Sequence, residues 1–122
     1  MQIDCIELNK EKFTDLKDKG YNAFNADFLN WQSEKLYDRI IACPPFKDNI
    51  DLLHIKKMYK HLNSTGVLIS LTSPLWILNN EQHQIDFRNW LSDKKYTLSL
   101  LPDNSFIEKG RTVPTMILKI TK

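Results

Sequence analysis

Short apolar runs alternate with longer amphipathic segments along the first two thirds of the chain. Runs with the length and composition of strands lie at residues 3–8, 21–28, 37–43 and 67–72. Helical patterns follow three of them, at residues 10–19, 51–62 and 74–93. Two further strand patterns, 96–101 and 112–121, then come in succession. This order predicts an α/β fold with a mainly parallel sheet and an antiparallel C-terminal strand.

Length and composition limit the classes of protein to which the chain can belong. Its 122 residues, 42% of them hydrophobic, predict one globular domain over 1–122. A net charge of +2 gives no overall attraction for nucleic acid, so such binding would need a local site. No apolar run approaches membrane-spanning length, and we expect no membrane partner. Cys5 and Cys43 form no CxxC motif, which indicates a reducing, cytoplasmic location.

The third strand ends in an unusual corner, Cys43-Pro44-Pro45-Phe46. Proline cannot donate a hydrogen bond to the sheet, and each proline fixes its own φ and restricts the residue before it. Core packing does not require this pair. The sequence therefore predicts a rigid loop that presents backbone carbonyls and one aromatic ring.

Polar residues also stand at the ends of the first two strands, where parallel sheets bind ligands. Glu7 could accept hydrogen bonds from ribose hydroxyls, or it could be a surface residue beside a helix start. Asp27 and Phe28 could hold the edge and face of an adenine. They could equally be a turn residue and a core residue.

The three segments "IDCIELN", "NADF" and "YDRIIACPPF", in this order, resemble the adenine-specific DNA methyltransferases that use S-adenosylmethionine. Such enzymes occur in restriction-modification systems and have a Rossmann-like fold. The resemblance continues through "KDNIDLLHIKKMYKHLNSTGVLISLTS" to "LPDNSFIEKGRTVPTMILKI" and covers nearly the whole chain. It implies that Glu7 binds the ribose of the cofactor, and that Asp27 and Phe28 bind the adenine of the cofactor.

The same resemblance implies that the proline corner holds an adenine flipped out of DNA. Cys43 and the carbonyl of Pro44 would accept the two amino hydrogens, Pro45 would keep that carbonyl in place, and Phe46 would stack on the base. Stacking contributes about 1–3 kcal/mol per base. The resemblance places Phe106 near the same pocket, although this residue could also be a packing anchor.

Cys43 departs from the family pattern, which has Asn or Asp at this position. A thiol is a weak hydrogen-bond acceptor, and losing one preorganised group costs roughly 10²–10³ in rate. A nucleophilic role would require the Pro-Cys order of the cytosine-modifying enzymes, whereas this chain has Cys-Pro-Pro. A small, inert residue is the structural alternative.

A second departure concerns the start of the chain. Family members have a central strand and a glycine-rich turn before the segment that corresponds to "IDCIELN", and Gly20, Gly66 and Gly110 all lie elsewhere. We expect the neighbouring strands to close up, a homodimer or second chain to complete the sheet, or the sequence to be part of a longer protein. A non-catalytic relative that binds nucleic acid or protein is therefore the rival to an enzyme.

Histidines do not indicate a metal site in this sequence. His54 and His61 are seven residues apart on one helical pattern, and His83 lies on another. No carboxylate accompanies them at ligand spacing, so we expect no metal.

Overall fold

The chain divides after Glu34 into two units, Met1–Glu34 and Lys35–Lys122, in a computed structural model that describes residues 2–102, 107–108 and 110–122. The first unit is a β–α–β motif made of β1 (Asp4–Glu7), α1 (Lys10–Asp18) and β2 (Asn22–Asn25). The two strands are parallel, and their register runs from Asp4 opposite Asn22 to Glu7 opposite Asn25. Their carboxyl ends therefore meet at the same edge.

Local signals in the sequence set the ends of α1. The Asn9 side chain accepts a 3.0 Å hydrogen bond from the Lys12 amide, as an N-cap residue does. After the helix, Gly20 adopts a φ of +92°, which a residue with a β-carbon rarely adopts. Asn before a helix and Gly after it are the residue types that local conformational preferences favour at these positions.

The second unit contains a four-stranded sheet in the order β3 (Tyr37–Ala42), β4 (Leu62–Thr72), β8 (Met116–Thr121) and β5 (Lys95–Leu100). β3 and β4 are parallel, and β8 runs antiparallel to both β4 and β5, so the predicted α/β class with an antiparallel C-terminal strand is confirmed. None of the described helices is long and apolar enough to cross a membrane. The other elements of this unit are a 3₁₀ turn (Lys47–Asn49), α2 (Ile50–Lys60), α3 (Leu75–Leu78), α4 (Gln82–Leu91), β6 (Ile107–Glu108) and β7 (Arg111–Thr112).

The core of the second unit lies on one face of this sheet. Alternate residues of β4 and β8 are buried, and the apolar sides of α2 and α4 add to the core together with Trp76 of α3. Ile41 on β3 belongs to the other face and remains 80% exposed. The fully buried apolar core residues include Ile55, Met58, Leu62, Leu68, Phe87, Leu91, Leu118 and Ile120.

Three predicted boundaries were wrong. β4 begins at Leu62 and includes the segment 63–66, which was predicted to be a loop. Gly66 is buried there, and a β-carbon at this position would lie 2.6 Å from Leu62 Cδ1, so this glycine serves close packing. The helical pattern at 74–93 is interrupted and forms α3 and α4, and the last strand begins at Met116.

Candidate functional site

The proline corner extends directly from the carboxyl end of β3. Ala42 pairs with Ser70 of β4, so the corner leaves the sheet beside the end of β4. Cys43 is exposed, Pro44 is buried, Pro45 is exposed and Phe46 is half-buried. Burial of Pro44 anchors the corner in the fold, while the side chains on either side of it reach the surface. Cys43, Pro45 and part of Phe46 are therefore open to solvent at the corner.

A tight turn follows the corner and was not predicted from the sequence. Asp48 and Asn49 both have left-handed backbone conformations, with φ of 54° and 59°. The Asn49 amide donates a 3.2 Å hydrogen bond to the Phe46 carbonyl, which closes the turn before α2 begins. Asp and Asn tolerate this conformation better than most residues. The dipeptide was therefore the signal that could have predicted it.

A buried carboxylate lies next to this turn, in the first turn of α2. Asp51 is 1% exposed, and its Oδ2 accepts hydrogen bonds from the Thr72 hydroxyl at 2.7 Å and from the Ser73 amide at 3.1 Å. The Trp76 indole donates to the same hydroxyl at 3.0 Å. Within the described part of the chain, Oδ1 of Asp51 has no hydrogen-bond partner. Burial raises the pKa of this carboxyl above its usual range, and hydrogen bonds from the Thr72 hydroxyl and from nearby backbone amides, that of Ser73 first, offset only part of that effect.

Glu7 occupies the end of β1 in the first unit. Its carboxylate is half-buried, and Oε1 accepts a 3.2 Å hydrogen bond from the Asn9 amide. Asn25, opposite it on β2, donates from its side-chain amide to the carbonyls of Glu7 and Leu8, both at 3.0 Å. These bonds fix the direction of the chain as it leaves β1. The Glu7 side chain is thereby held at the strand edge.

Asp27 and Phe28 follow β2 at the neighbouring strand end. Asp27 Oδ1 accepts a 3.0 Å hydrogen bond from the Leu29 amide, and its carbonyl accepts one from the Trp31 amide. The Phe28 and Trp31 rings are nearly parallel, with centroids 6.1 Å apart and planes inclined by 24°. Trp31 is thus an aromatic neighbour of Phe28 that was not predicted from the sequence.

The register of each sheet brings some of the predicted residues together. Glu7 lies opposite Asn25, two residues before Asp27, so the predicted cofactor residues share one edge of the first unit. Cys43 to Phe46 form a continuous corner in the second unit. Phe106 lies outside the described residues. Among the described residues, no three potential metal-binding side chains form a cluster.

Known proteins resemble this chain in structure more than in sequence. No family model and no curated protein matches the sequence. A type I restriction-modification methyltransferase subunit from Streptococcus thermophilus is similar in structure, with a TM-score of 0.76 and 20% identity. That match covers 96% of this chain and 33% of the other. The chain has a methyltransferase fold.

Other methyltransferases share the fold at lower similarity. An rRNA methylase from Streptococcus thermophilus matches with a TM-score of 0.58 and 12% identity, over 99% of this chain and 73% of that protein. The N-methyltransferase NodS from Bradyrhizobium japonicum, in complex with S-adenosyl-L-homocysteine, matches with a TM-score of 0.61 and 12% identity. That alignment covers 99% of this chain and 66% of NodS. At 12% identity, these two likenesses concern the fold alone.

Proposed function

We propose that this chain is an adenine-specific DNA methyltransferase domain that transfers a methyl group from S-adenosylmethionine to the amino group of adenine. The observation that carries this proposal is the rigid corner at the end of β3, in which Pro44 is buried and the Phe46 ring is partly exposed. The methyltransferase fold and the likeness to the restriction-modification subunit support it.

The first unit offers side chains that fit the nucleoside half of the cofactor. Glu7 is held at its strand end by the Asn9 amide and remains half-buried, which suits hydrogen bonds from ribose hydroxyls. Asp27 and Phe28 would hold the edge and face of the cofactor's adenine. When bound, S-adenosylmethionine supplies an electrophilic methyl group, and transfer leaves S-adenosylhomocysteine and a proton from the adenine amino group.

The second unit would hold the flipped DNA base. The lone pair of adenine's amino nitrogen is delocalised into the ring, which makes the nitrogen a poor nucleophile. Accepting an amino hydrogen at the Pro44 carbonyl would draw the nitrogen toward tetrahedral geometry, and the fixed position of that carbonyl avoids reorganisation. Phe46 would stack on the base and offset part of the cost of flipping it. The Cys43 thiol, a weak acceptor, would take the second hydrogen.

Two measurements test this proposal. Titration calorimetry with S-adenosylmethionine should give binding heat, and its absence at millimolar cofactor would contradict an enzymatic role for this chain. The Cys43→Asn variant restores a strong acceptor and should increase adenine methylation of DNA by roughly 10²–10³. Cys5→Asn, at the other cysteine, serves as the matched control and should leave the rate unchanged. An equal rate in the wild type and Cys43→Asn would show that the corner does not work in this way.

A non-catalytic binding module is the second candidate function. The observation that favours it is Cys43, because the thiol weakens the acceptor pair that methyl transfer requires. Such a module would bind an adenine-containing oligonucleotide through Phe46 without binding the cofactor. Oligonucleotide binding without cofactor heat, together with no methylation by Cys43→Asn, would favour this candidate.

A further inference from the structure

Two consecutive left-handed residues, Asp48 and Asn49, separate the proline corner from α2. A residue with a β-carbon is strained in this conformation, and such a pair persists only where surrounding contacts hold it. The Asn49 amide donates to the Phe46 carbonyl at 3.2 Å. The conformation of Asn49 is therefore linked to the backbone of Phe46 by this hydrogen bond.

Gln84, in the first turn of α4, is the side chain that contacts Asn49 from a distant part of the sequence. It is 2% exposed, and its Nε2 donates a 3.3 Å hydrogen bond to Asn49 Oδ1. Its Oε1 accepts a 3.0 Å hydrogen bond from the Glu81 amide, which forms half of the capping box of α4. The oxygen of this buried amide thus accepts a hydrogen bond at the start of α4, and its nitrogen donates one to the turn before α2.

We propose that Gln84 is a positioning residue for the proline corner. The hydrogen bond from Nε2 holds Asn49 in the left-handed conformation. The Asn49 amide in turn fixes the Phe46 carbonyl, and the position of the Phe46 backbone sets the position of the Phe46 ring. Buried side-chain amides are hydrogen-bonded in folded proteins, so the Gln84 amide favours the backbone conformation in which Asn49 Oδ1 accepts its hydrogen bond. The consequence for a bound base rests on the proposed function, whereas the effect on the backbone does not.

The simpler alternative is that Gln84 only caps α4. Two substitutions separate these roles because glycine adopts a left-handed conformation without strain. Gln84→Met removes both hydrogen bonds at similar side-chain size. Asn49→Gly removes the need for a side-chain clamp. If Gln84 acts through Asn49, Gln84→Met should loosen the backbone at position 49 in the wild type and have little effect on it in the Asn49→Gly background.

Amide hydrogen exchange measured by NMR tests the backbone effect directly. In Gln84→Met, we expect the amide of Asn49 to exchange about tenfold faster than in the wild type, which is the effect of losing one net hydrogen bond. In the Asn49→Gly background, the same substitution should change exchange at position 49 by less than about threefold. Leu91→Ala, a core truncation on the same helix, is the control for general destabilisation and should not affect position 49 selectively. Equal acceleration of position 49 in both backgrounds would overturn the proposal.

Gln84→Glu provides a second variant if Gln84→Met does not fold. The carboxylate keeps an acceptor for the Glu81 amide and replaces the donor to Asn49 with a second, negatively charged acceptor. Position 49 should again exchange faster while the first turn of α4 stays protected. Unchanged exchange at position 49 would show that the Nε2 contact positions nothing.

A fluorescent base tests the consequence at the site. A single-stranded oligothymidylate with one 2-aminopurine needs no base flipping, and stacking on Phe46 should quench its fluorescence. We expect affinity to fall about tenfold in Gln84→Met and to recover when Asn49→Gly is added. Unchanged affinity in Gln84→Met would overturn the positioning of the ring. No quenching by the wild type would contradict the base-holding function instead, and amide exchange would still decide the role of Gln84.

Discussion

The Asp51 carboxylate accepts a 2.7 Å hydrogen bond from the Thr72 hydroxyl and so joins the start of α2 to the end of β4. Both residues are buried, and β4 is the strand beside the proline corner. The Trp76 indole extends the same network into α3. The contacts that join α2, β4 and α3 next to the proline corner are thus polar. Their contribution to the free energy of unfolding depends on the protonation of the Asp51 carboxyl.

Asp51 should make the stability of the second unit depend on pH. Its pKa is raised in the folded state, so its contribution is fully present below the unfolded value of about 3.9 and is lost as pH rises through the folded value. The free energy of unfolding should therefore fall over that window. In Asp51→Asn the part of this decrease that comes from Asp51 should be absent, because an amide oxygen can accept the hydrogen bonds from Thr72 and Ser73 without a buried charge. Urea unfolding followed by tryptophan fluorescence at several pH values measures this.

Asp86→Asn is the matched control for that experiment. Asp86 is an exposed aspartate on α4, so Asp86→Asn makes the same chemical change outside the buried Asp51–Thr72 network. If Asp51→Asn lost stability with rising pH as steeply as the wild type, the buried carboxyl would not be the source of the effect.

Removing the Thr72 hydroxyl should strongly destabilise the second unit. Thr72→Val keeps the shape of the side chain but leaves the Asp51 carboxylate and the Trp76 indole each short of a buried partner. We expect a loss of about 2–3 kcal/mol in the free energy of unfolding. Thr72→Ser keeps the hydroxyl and should cost less than about 1 kcal/mol. Equal losses in the two variants, measured by urea unfolding, would show that the hydroxyl contributes little.

The sequence predicted the fold class because strands and helices differ in hydrophobic period. The proline corner was equally visible, since consecutive prolines in a strand have a direct steric meaning. Asp51 was not, because an Asp in the first turn of a helix is usually a solvated residue that interacts with the helix dipole. Its partner Thr72 lies 21 residues away, and only the folded chain shows that the two meet.

Glycine explains one of the errors in the predicted boundaries. Gly66 follows Asn63, Ser64 and Thr65, a composition typical of loops, yet this segment belongs to β4. The glycine is there because the side chain of Leu62 occupies the space that a β-carbon would need. Such packing requirements arise from tertiary structure and leave no local pattern in the sequence.

The two cysteines should differ in reactivity. Cys43 is exposed on the corner, whereas Cys5 is half-buried in β1, where burial and the neighbouring Asp4 raise its pKa. Because the thiolate is the reactive form, Cys5 should react at least about tenfold more slowly with a thiol-specific reagent near neutral pH. Reaction with Ellman's reagent should show two phases in the wild type. Cys43→Ser should lose the fast phase, and its persistence there would mean that the corner is closed to molecules of that size.

Substituting Glu7 should weaken cofactor binding if the first unit holds the ribose. Glu7→Gln keeps the size of the side chain but removes the charge that strengthens hydrogen bonds from hydroxyl donors. We expect the affinity for S-adenosylhomocysteine to fall about tenfold in titration calorimetry, which corresponds to about 1.4 kcal/mol. Glu11→Gln, an exposed glutamate in the first turn of α1, makes the same chemical change four residues away and should leave affinity unchanged. Equal affinities for Glu7→Gln and the wild type would place the ribose elsewhere, and equal losses in both variants would indicate a general effect of charge.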